Sequence, residues 1–387
     1  MKIIWWIYFF IVVYTYLGYG ALLYCMVLIK RMLYSPTQLS NDGAYEPLIS
    51  ILVAAYNEED FIEKKILNTL ELDYPPNKLE ILFITDGSTD ETPKIVSQYP
   101  KIRLLHQVER QGKIAAVRRA MQFVSNPIVV FTDANTFLNK QAIRNIVKHY
   151  RNPLVGGVAG EKRIYVKEKD AANAAGEGIY WKYESQLKKW DSELYSVVGA
   201  AGELFSIRTK LFEPVPNDTI IEDFYITLLI AEKGNKIVYE PEAFALEGPS
   251  VSVDEELKRK IRIAAGGIQA IFRLTNLLNI FKHGLLSFQY ISHRVLRWTL
   301  TPIALVLLFV SNLFLLAAPF FKVTLVLQIL FYLSAFIGFL FQKENIKIKV
   351  FFIPYYFVIM NYAVFRGFFR FVSGRQTVLW ERAQRSV

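Results

Sequence analysis

The stretch from Ile3 to Ile29 carries no charged side chain. At about 1.5 Å of rise per residue, a helix over it crosses a roughly 30 Å hydrocarbon core with length left to tilt. A cleaved leader has an apolar region of about 7–15 residues followed by small residues. This run is longer and rich in aromatic rings, so residues 1–31 are expected to stay as a membrane anchor. Lys30 and Arg31 close it, and the positive-inside rule places the chain after them in the cytoplasm.

A second apolar concentration runs from about Trp298 to Phe369. Its segments are Trp298–Phe321, Val323–Phe341 and Val350–Phe365, so residues 298–372 are expected to hold two to three transmembrane helices. Lys322 separates the first pair and predicts a tight helical hairpin; the Lys343–Lys349 stretch separates the second. Residues 284–297 mix Leu285, Leu286, Phe288 and Ile291 with His293, Arg294 and Arg297, a pattern suited to a helix in the interface plane. Three crossings here would put the basic tail, residues 373–387, outside. Arg366, Arg370, Arg375, Arg382 and Arg385 favour the inside. The two readings conflict. The expected location is the cell (inner or plasma) membrane, multi-pass, with the middle of the chain cytoplasmic.

Charged residues still make up 21% of the 387, against 53% hydrophobic, so a soluble stretch must lie between the apolar ends. One cysteine excludes a disulfide scaffold. The net charge of +10 sits largely beside the apolar segments, as a cytoplasmic membrane face requires, and no nucleic-acid motif is visible. Nucleic acid is therefore not an expected partner, and the membrane is.

From about Pro47 to Lys282 the pattern is α/β, with residues 34–47 as linker. Strands are predicted over Leu48–Ala54, Leu79–Thr85, Ile102–His106 and Ile128–Thr132, and a helix over Lys113–Val124. Alternation of this kind argues for parallel βαβ units. In such sheets ligands sit beyond the carboxyl ends of the strands. Three strand ends here are polar: Tyr56-Asn57-Glu58, Thr85-Asp86-Gly87-Ser88 and Thr132-Asp133-Ala134-Asn135. Each alone reads equally well as a turn; three in register form a site. Asp133 and Asn135 offer two oxygens to one hard cation, Mg²⁺ or Mn²⁺, which keeps positions for phosphate oxygens. That arrangement suits a nucleotide diphosphate. Neither GxxxxGK[ST] nor GxGxxG is present, so ATPase and dinucleotide readings lose their support.

Four further features read two ways. Lys113, after Gly112, is either a solvated helix-start lysine or a charge near phosphates. Glu222-Asp223 opens an apolar helix and either complements its dipole or supplies a general base. Ser252-Val253-Asp254-Glu255 caps a helix carrying Lys258, Arg259, Lys260 and Arg262, which either face the membrane or neutralise a diphosphate. Gly266-Gly267 is expected to end or bend that helix. Asn173–Trp190 carries Tyr180, Trp181, Tyr183 and Trp190, which either pack or stack on sugar rings.

Taken in order, these residues resemble the membrane-embedded glycosyltransferases of family 2, the group of cellulose, chitin, hyaluronan and poly-N-acetylglucosamine synthases. The resemblance covers about Pro47 to Gly267. It implies a nucleotide-diphospho-sugar transferase fold of the GT-A-like α/β class over residues 47–282, inserted between N-terminal and C-terminal transmembrane helices. Val53 to Glu59 is similar to the family's first nucleotide-binding strand, which implies donor contacts at Ala55, Tyr56, Asn57 and Glu58. Asp86 matches the acidic residue used on the nucleoside, and Gly112-Lys113 a family glycine-lysine pair. Asp133-Ala134-Asn135 stands in the place of the metal-binding Asp-x-Asp. Gly199-Ala200-Ala201-Gly202 through Arg208 resembles the acceptor-side segment, which implies acceptor contacts at Gly199 and Gly202, with Trp181 as a further one. Glu222-Asp223 matches the pair whose aspartate is the family's catalytic base.

Two departures stand out. The second metal aspartate is Asn135. The Gln-x-x-Arg-Trp signature reads Arg259-Lys260-Ile261-Arg262-Ile263, which keeps the diphosphate-binding arginine and loses the ring expected near the acceptor. The resemblance thus implies an inverting, metal-dependent transfer from a nucleotide sugar, a UDP-sugar first, to a glycan during polysaccharide synthesis. Accessory synthase or export subunits would be further partners. A single transfer to a lipid is the alternative, and an inactive membrane subunit of a synthase the third.

Overall fold

The computed structural model describes residues 1–34, 45–165, 171–248, 252–341 and 348–377. The interior of the expected linker and two thirds of the expected basic tail, residues 378–387, fall outside these residues. The chain divides into two compact units. The first, termed the sheet unit, is Ile29–Tyr165 with Lys188–Pro249 and Thr377–Val387. The second, termed the helical unit, is Met1–Leu28, Val166–Leu187 and Ser250–Gln376.

The sheet unit is built on eight strands: β1 (Ile49–Ala55), β2 (Leu79–Asp86), β3 (Arg103–Gln107), β4 (Ile128–Asp133), β5 (Thr136–Leu138), β6 (Val155–Ile164), β7 (Leu204–Arg208) and β8 (Lys236–Glu247). Their order across the sheet is β3-β2-β1-β4-β7-β6-β8-β5. β1 is apolar apart from Ser50 and buried at every residue, as a strand covered on both faces must be. Ile51, Val53, Phe83 and Val130 pack with Ile62 and Ile66 of helix Glu59–Leu70 and with Ile143 and Ile146 of helix Ala142–Val147. Each such aliphatic side chain removed from water contributes about 1.5–3 kcal/mol.

β1 to β4 are mutually parallel where they pair, as the alternation of strands and helices predicts. Beyond β4 the sheet becomes mixed. β7 runs antiparallel to both β4 and β6, and β5 antiparallel to β8. β5 to β8 escape a reading by apolar runs because their sequences are broken. In β6, Gly160 stands where a Cβ would come within 2.7 Å of Leu204 and 2.8 Å of the Ala243 carbonyl, so the strand gives up side chains to let its neighbours close in.

The antiparallel β7 completes one end of the sheet. Ala54 lies beside Asp133 and Ala55 beside Thr85, so β1, β2 and β4 end level. β7 begins with Leu204 beside Thr132, which brings residues 199–203 to the same end.

In the helical unit, three helices among the described residues are long and apolar enough to cross a membrane: Lys2–Leu33, Pro319–Phe341 and Val350–Val372. Leu285–Trp298 and Leu300–Leu313 meet at a 53° bend and form either one broken span or a re-entrant pair. The 284–297 segment is helical, with a π turn at Ile291–Val295. The hairpin expected at Lys322 is displaced. The chain breaks between Leu313 and Pro319, and Lys322 sits within the first turn of the next helix. Pro319 explains this, because proline is favoured at the first helical position, where its missing N–H costs nothing. The segment expected to cross over Trp298–Phe321 is correspondingly shorter as a helix. Leu300–Leu313 would measure about 21 Å, less than a hydrocarbon core.

Helix Val253–Arg273 does not end at Gly266-Gly267 but passes through them. A Cβ on Gly267 would strike the Trp298 indole, so the glycine seats that ring rather than breaking the helix. Ser252 caps this helix, accepting from the Glu255 N–H at 3.2 Å.

Candidate active site

The level ends of β1, β2 and β4 are stitched together by their own loops. Asn57 takes a left-handed conformation with φ 51° and accepts from the Thr89 N–H at 2.8 Å. The Asn57 and Glu58 N–H groups donate to Ser88 Oγ and Thr92 Oγ1 at 3.1 and 2.9 Å. Tyr56 lies under the Arg110 guanidinium, 3.7 Å from ring centre to Cζ. Gly87, with φ 71°, leaves room for the Arg110 backbone, which a Cβ there would meet at 2.8 Å.

Asp86 is fully buried. Its Oδ2 accepts from the Gln111 and Gly112 N–H groups at 3.0 and 2.7 Å. Its Oδ1 makes no hydrogen bond among the described residues and has the Arg119 guanidinium 3.7 Å away. A buried carboxylate oxygen in that state is costly, and a ligand donor would offset the cost.

Lys113, the first residue of helix Lys113–Met121, joins two parts of the site. Its Nζ lies 2.8 Å from Asp133 Oδ1 at the end of β4 and 2.8 Å from Glu222 Oε1 at the start of helix Glu222–Glu232. The solvated-lysine reading is therefore wrong for this residue. Burial alone would lower its ammonium, but Asp133, Glu222 and Asp223 hold it above the usual lysine range. Asp133 moves up because it is desolvated, with Lys113 opposing. Asp223 is pushed up to about 7, first by desolvation and then by the neighbouring Glu222 charge, with Lys113 pulling the other way.

The 199–202 segment is fastened to the same helix. Gly199, with φ 93°, lies against the Phe224 ring, and the Ala200 N–H donates to Thr227 Oγ1 at 3.0 Å. A Cβ on Gly202 would point between Lys113 Nζ at 3.3 Å and Asp223 Oδ2 at 3.5 Å. The small residue thus keeps a space open beside both groups, within a pocket that Asp133 and Glu222 also line.

Asn135 is half-buried in the turn between β4 and β5. No cluster of three or more His, Cys, Asp or Glu suited to a metal exists among the described residues. Asp133 and Asn135 supply two hard oxygens, a donor set that fits a cation completing its shell with phosphate oxygens and water, as Mg²⁺ and Mn²⁺ do.

Trp181, Arg259 and Arg262 belong to the helical unit, not to the sheet unit that holds the other candidates. The Arg259 fork is engaged by Glu256 at 3.1 and 2.9 Å. Lys260 Nζ lies 4.8 Å from the Trp181 ring centre. Three residues near the strand ends are not singled out by sequence patterns. Arg110 and Arg119 flank Gly112-Lys113 without belonging to any motif. Glu203, directly after Gly202, pairs with the buried Lys162 at 2.6 Å and adds negative charge near Asp133 and Asp223. Its position next to the glycines is the available signal.

Comparison with known proteins is consistent with this geometry. Residues 50–215 match the family model described as glycosyl transferase family 2. A poly-beta-1,6-N-acetyl-D-glucosamine synthase of Staphylococcus aureus is 26% identical over 235 residues, 58% of this chain and 56% of the synthase. A beta-monoglucosyldiacylglycerol synthase of Nostoc is 31% identical over 167 residues, covering 41% of this chain and 34% of that protein. The match thus spans little more than half the length of the first relative and a third of the second. Among solved structures, the mannosyltransferase PcManGT of Pyrobaculum calidifontis, in complex with GDP-Man and Mn²⁺, superposes with a TM-score of 0.71. It covers 95% of this chain and 99% of that one at 22% identity, a likeness of fold. Residues 50–215 thus match glycosyl transferase family 2 and lie on a GT-A-like mixed sheet, with helices at both ends of the chain apolar enough to span a membrane.

Proposed function

We propose that this protein transfers a sugar, with inversion, from a nucleotide diphosphate sugar to a glycan acceptor held at the membrane, in polysaccharide synthesis. The observation that carries the reading is the Lys113 bridge, which sets Asp133 and the Glu222-Asp223 pair on either side of one ammonium at the ends of the parallel strands. Asp86 Oδ1 accepts from the nucleoside base, beside Tyr56 and with Asn57 and Glu58 shaping the loop. Asp133 and Asn135 would hold Mg²⁺ or Mn²⁺, which would offset charge on the diphosphate. Lys113 adds to that positive field. Asp223, with a pKa near the working pH, takes the acceptor proton, and Gly202 leaves the acceptor room beside it. Single displacement requires no covalent enzyme intermediate. Arg262 and Trp181 remain donor-side and acceptor-side candidates. A UDP-sugar is the first donor to test and a GDP-sugar the second, since PcManGT was solved with GDP-Man.

The catalytic unit is assigned to the cytoplasm. With Pro319–Phe341 and Val350–Val372 as the C-terminal crossings and the bent pair re-entrant, the arginine-bearing end returns to the same side as Lys30 and Arg31. The conflict left by counting three crossings then disappears.

A second reading, transfer of one sugar to a lipid, is favoured by the engagement of Arg259 with Glu256 and by Ile263 in place of a ring. Purified protein in lipid nanodiscs, given labelled UDP- and GDP-sugars with Mg²⁺ or Mn²⁺, separates the two. A ladder of products supports the glycan acceptor, and a single sugar on extractable lipid supports the lipid acceptor. Neither transfer nor donor hydrolysis with any donor overturns both.

A further inference from the structure

The sheet unit holds a buried cation that the proposed sugar transfer does not use. Lys65, on helix Glu59–Leu70, is wholly buried behind the end of β4. Its Nζ donates to Thr132 Oγ1 at 2.9 Å and to the Thr136 carbonyl at 2.6 Å. It forms no ion pair among the described residues, and burial lowers it to about 7. An ammonium kept in such a place is expensive, whereas a methionine of similar size would pack there without that cost. The helix therefore retains a group that is unfavourable for its own stability.

The groups it touches show what it organises. Thr132 and Thr136 bracket the Asp133-Ala134-Asn135 turn. The Thr136 hydroxyl donates to the Asp133 carbonyl at 3.0 Å, which closes the turn on itself. The Thr132 hydroxyl donates to the Glu203 carbonyl at 3.0 Å, which ties the turn to the residue after Gly202. Lys65 donates to the side chain of one threonine and the backbone of the other, so it clamps both ends of the turn from behind. The carboxylate of Asp133 faces Lys113 on the other side.

We propose that Lys65 is a positioning residue for the divalent cation site: it locks the turn so that the Asp133 carboxylate and the Asn135 carbonyl are aimed before the cation arrives. This rests on the reading of Asp133 and Asn135 as the cation ligands. Groups that orient a metal's ligands are commonly worth about 10–100-fold in metal affinity. Lys65 acts here on hard oxygen ligands through a backbone turn.

The test measures Mn²⁺ binding to the full-length protein in nanodiscs by loss of the free-ion electron paramagnetic resonance signal, with UDP present and no sugar donor. Lys65→Met is expected to weaken Mn²⁺ by about tenfold, while its unfolding temperature stays at or above that of the unaltered protein. Thr132→Val keeps the strand shape and removes the hydroxyl that Lys65 and Glu203 share. It is expected to weaken Mn²⁺ in the same direction, and it decides the matter if Lys65→Met does not fold. Asp133→Ala is the reference and should remove binding. If Asp133→Ala loses Mn²⁺ while Lys65→Met and Thr132→Val bind it as the unaltered protein does, the positioning role is overturned and the cation site stands. If the unaltered protein itself binds no Mn²⁺, the cation site is overturned and the positioning role with it.

Discussion

Two carboxylates, one in each unit, the first buried and the second half-buried, meet opposite electrostatic fates. Glu184, in the helical unit, is buried against Arg294 Nη1 at 2.7 Å, Arg297 Nη1 at 2.9 Å and His293 Nε2 at 3.3 Å. Burial alone would raise its pKa, but the two arginines and the histidine contact hold it well below the usual carboxylate range. Asp223, in the sheet unit, has Glu222 and Glu203 for company, with Lys113 shared among several acids, and is pushed up to about 7. The difference separates a charge that fastens helices from a charge able to exchange a proton near neutral pH. Loss of water pushes both upward; the sign of the neighbours separates them.

The largest effect expected from this comparison is on turnover. Asp223→Asn removes the proton acceptor and leaves shape and nucleotide contacts, so transfer should fall by about 10²–10⁴-fold while nucleotide affinity stays within a factor of about two. In the unaltered protein the base must be ionised, so kcat should rise with pH through about 7 and then level off. Stability should move the other way. A carboxylate with a raised folded pKa disfavours the fold once it is ionised. Asp223→Asn should therefore unfold at a higher temperature than the unaltered protein above pH 7. The gap should close as pH falls from 7 toward the unfolded value near 4. A flat pH–rate profile between 6 and 8, with full activity in Asp223→Asn, would sink the assignment of the base.

Glu184→Gln is the converse experiment. It leaves two arginines facing a neutral amide in a buried setting, and removing one partner of a buried ion cluster typically costs about 3–5 kcal/mol. Thermal unfolding should drop by several degrees, while kcat per folded molecule stays unchanged. The Glu184 contribution is present at neutral pH and is lost only as pH falls below the ordinary glutamate range, through its lowered folded pKa. If Glu184→Gln instead abolished turnover with no loss of stability, the contrast drawn between the two acids would collapse.

The same contrast explains what is legible in the sequence. The strand-end motifs are readable because a continuous β-branched run followed by polar residues can be placed on a parallel sheet without knowing its neighbours. The observed pairing of Ala54 with Asp133 and Ala55 with Thr85 is what that placement requires. The helical fate of Glu222-Asp223 is legible for a similar local reason. The mixed half of the sheet is not, because β6 and β7 are specified by contacts far apart in the chain, such as Gly160 against Leu204. Lys65 is invisible for a related reason. It looks like one more charge in Glu63-Lys64-Lys65, and only the fold shows that it points inward to Thr132. The ambiguity over Lys113 likewise ends with the distances to Asp133 and Glu222, which no spacing in the sequence encodes.

The smallest expected effect tests whether the helical unit is as indifferent to chemistry as the Glu184 comparison claims. Gly267, expected from its sequence to end or bend the helix, is a seat for the Trp298 indole inside an unbroken helix. Alanine at this position improves helix propensity by about 1 kcal/mol but drives a methyl into a rigid ring, an overpacking that typically costs about 1–3 kcal/mol. Gly267→Ala should thus lower thermal stability only slightly, and Gly267→Ala with Trp298→Leu should recover it by opening the space. Helix Val253–Arg273 also carries Arg262, so the donor KM is the informative second readout. An unchanged KM alongside the small stability loss would mean that the ring and glycine serve packing alone. A raised KM, restored in the double variant, would mean that this contact also bears on donor binding.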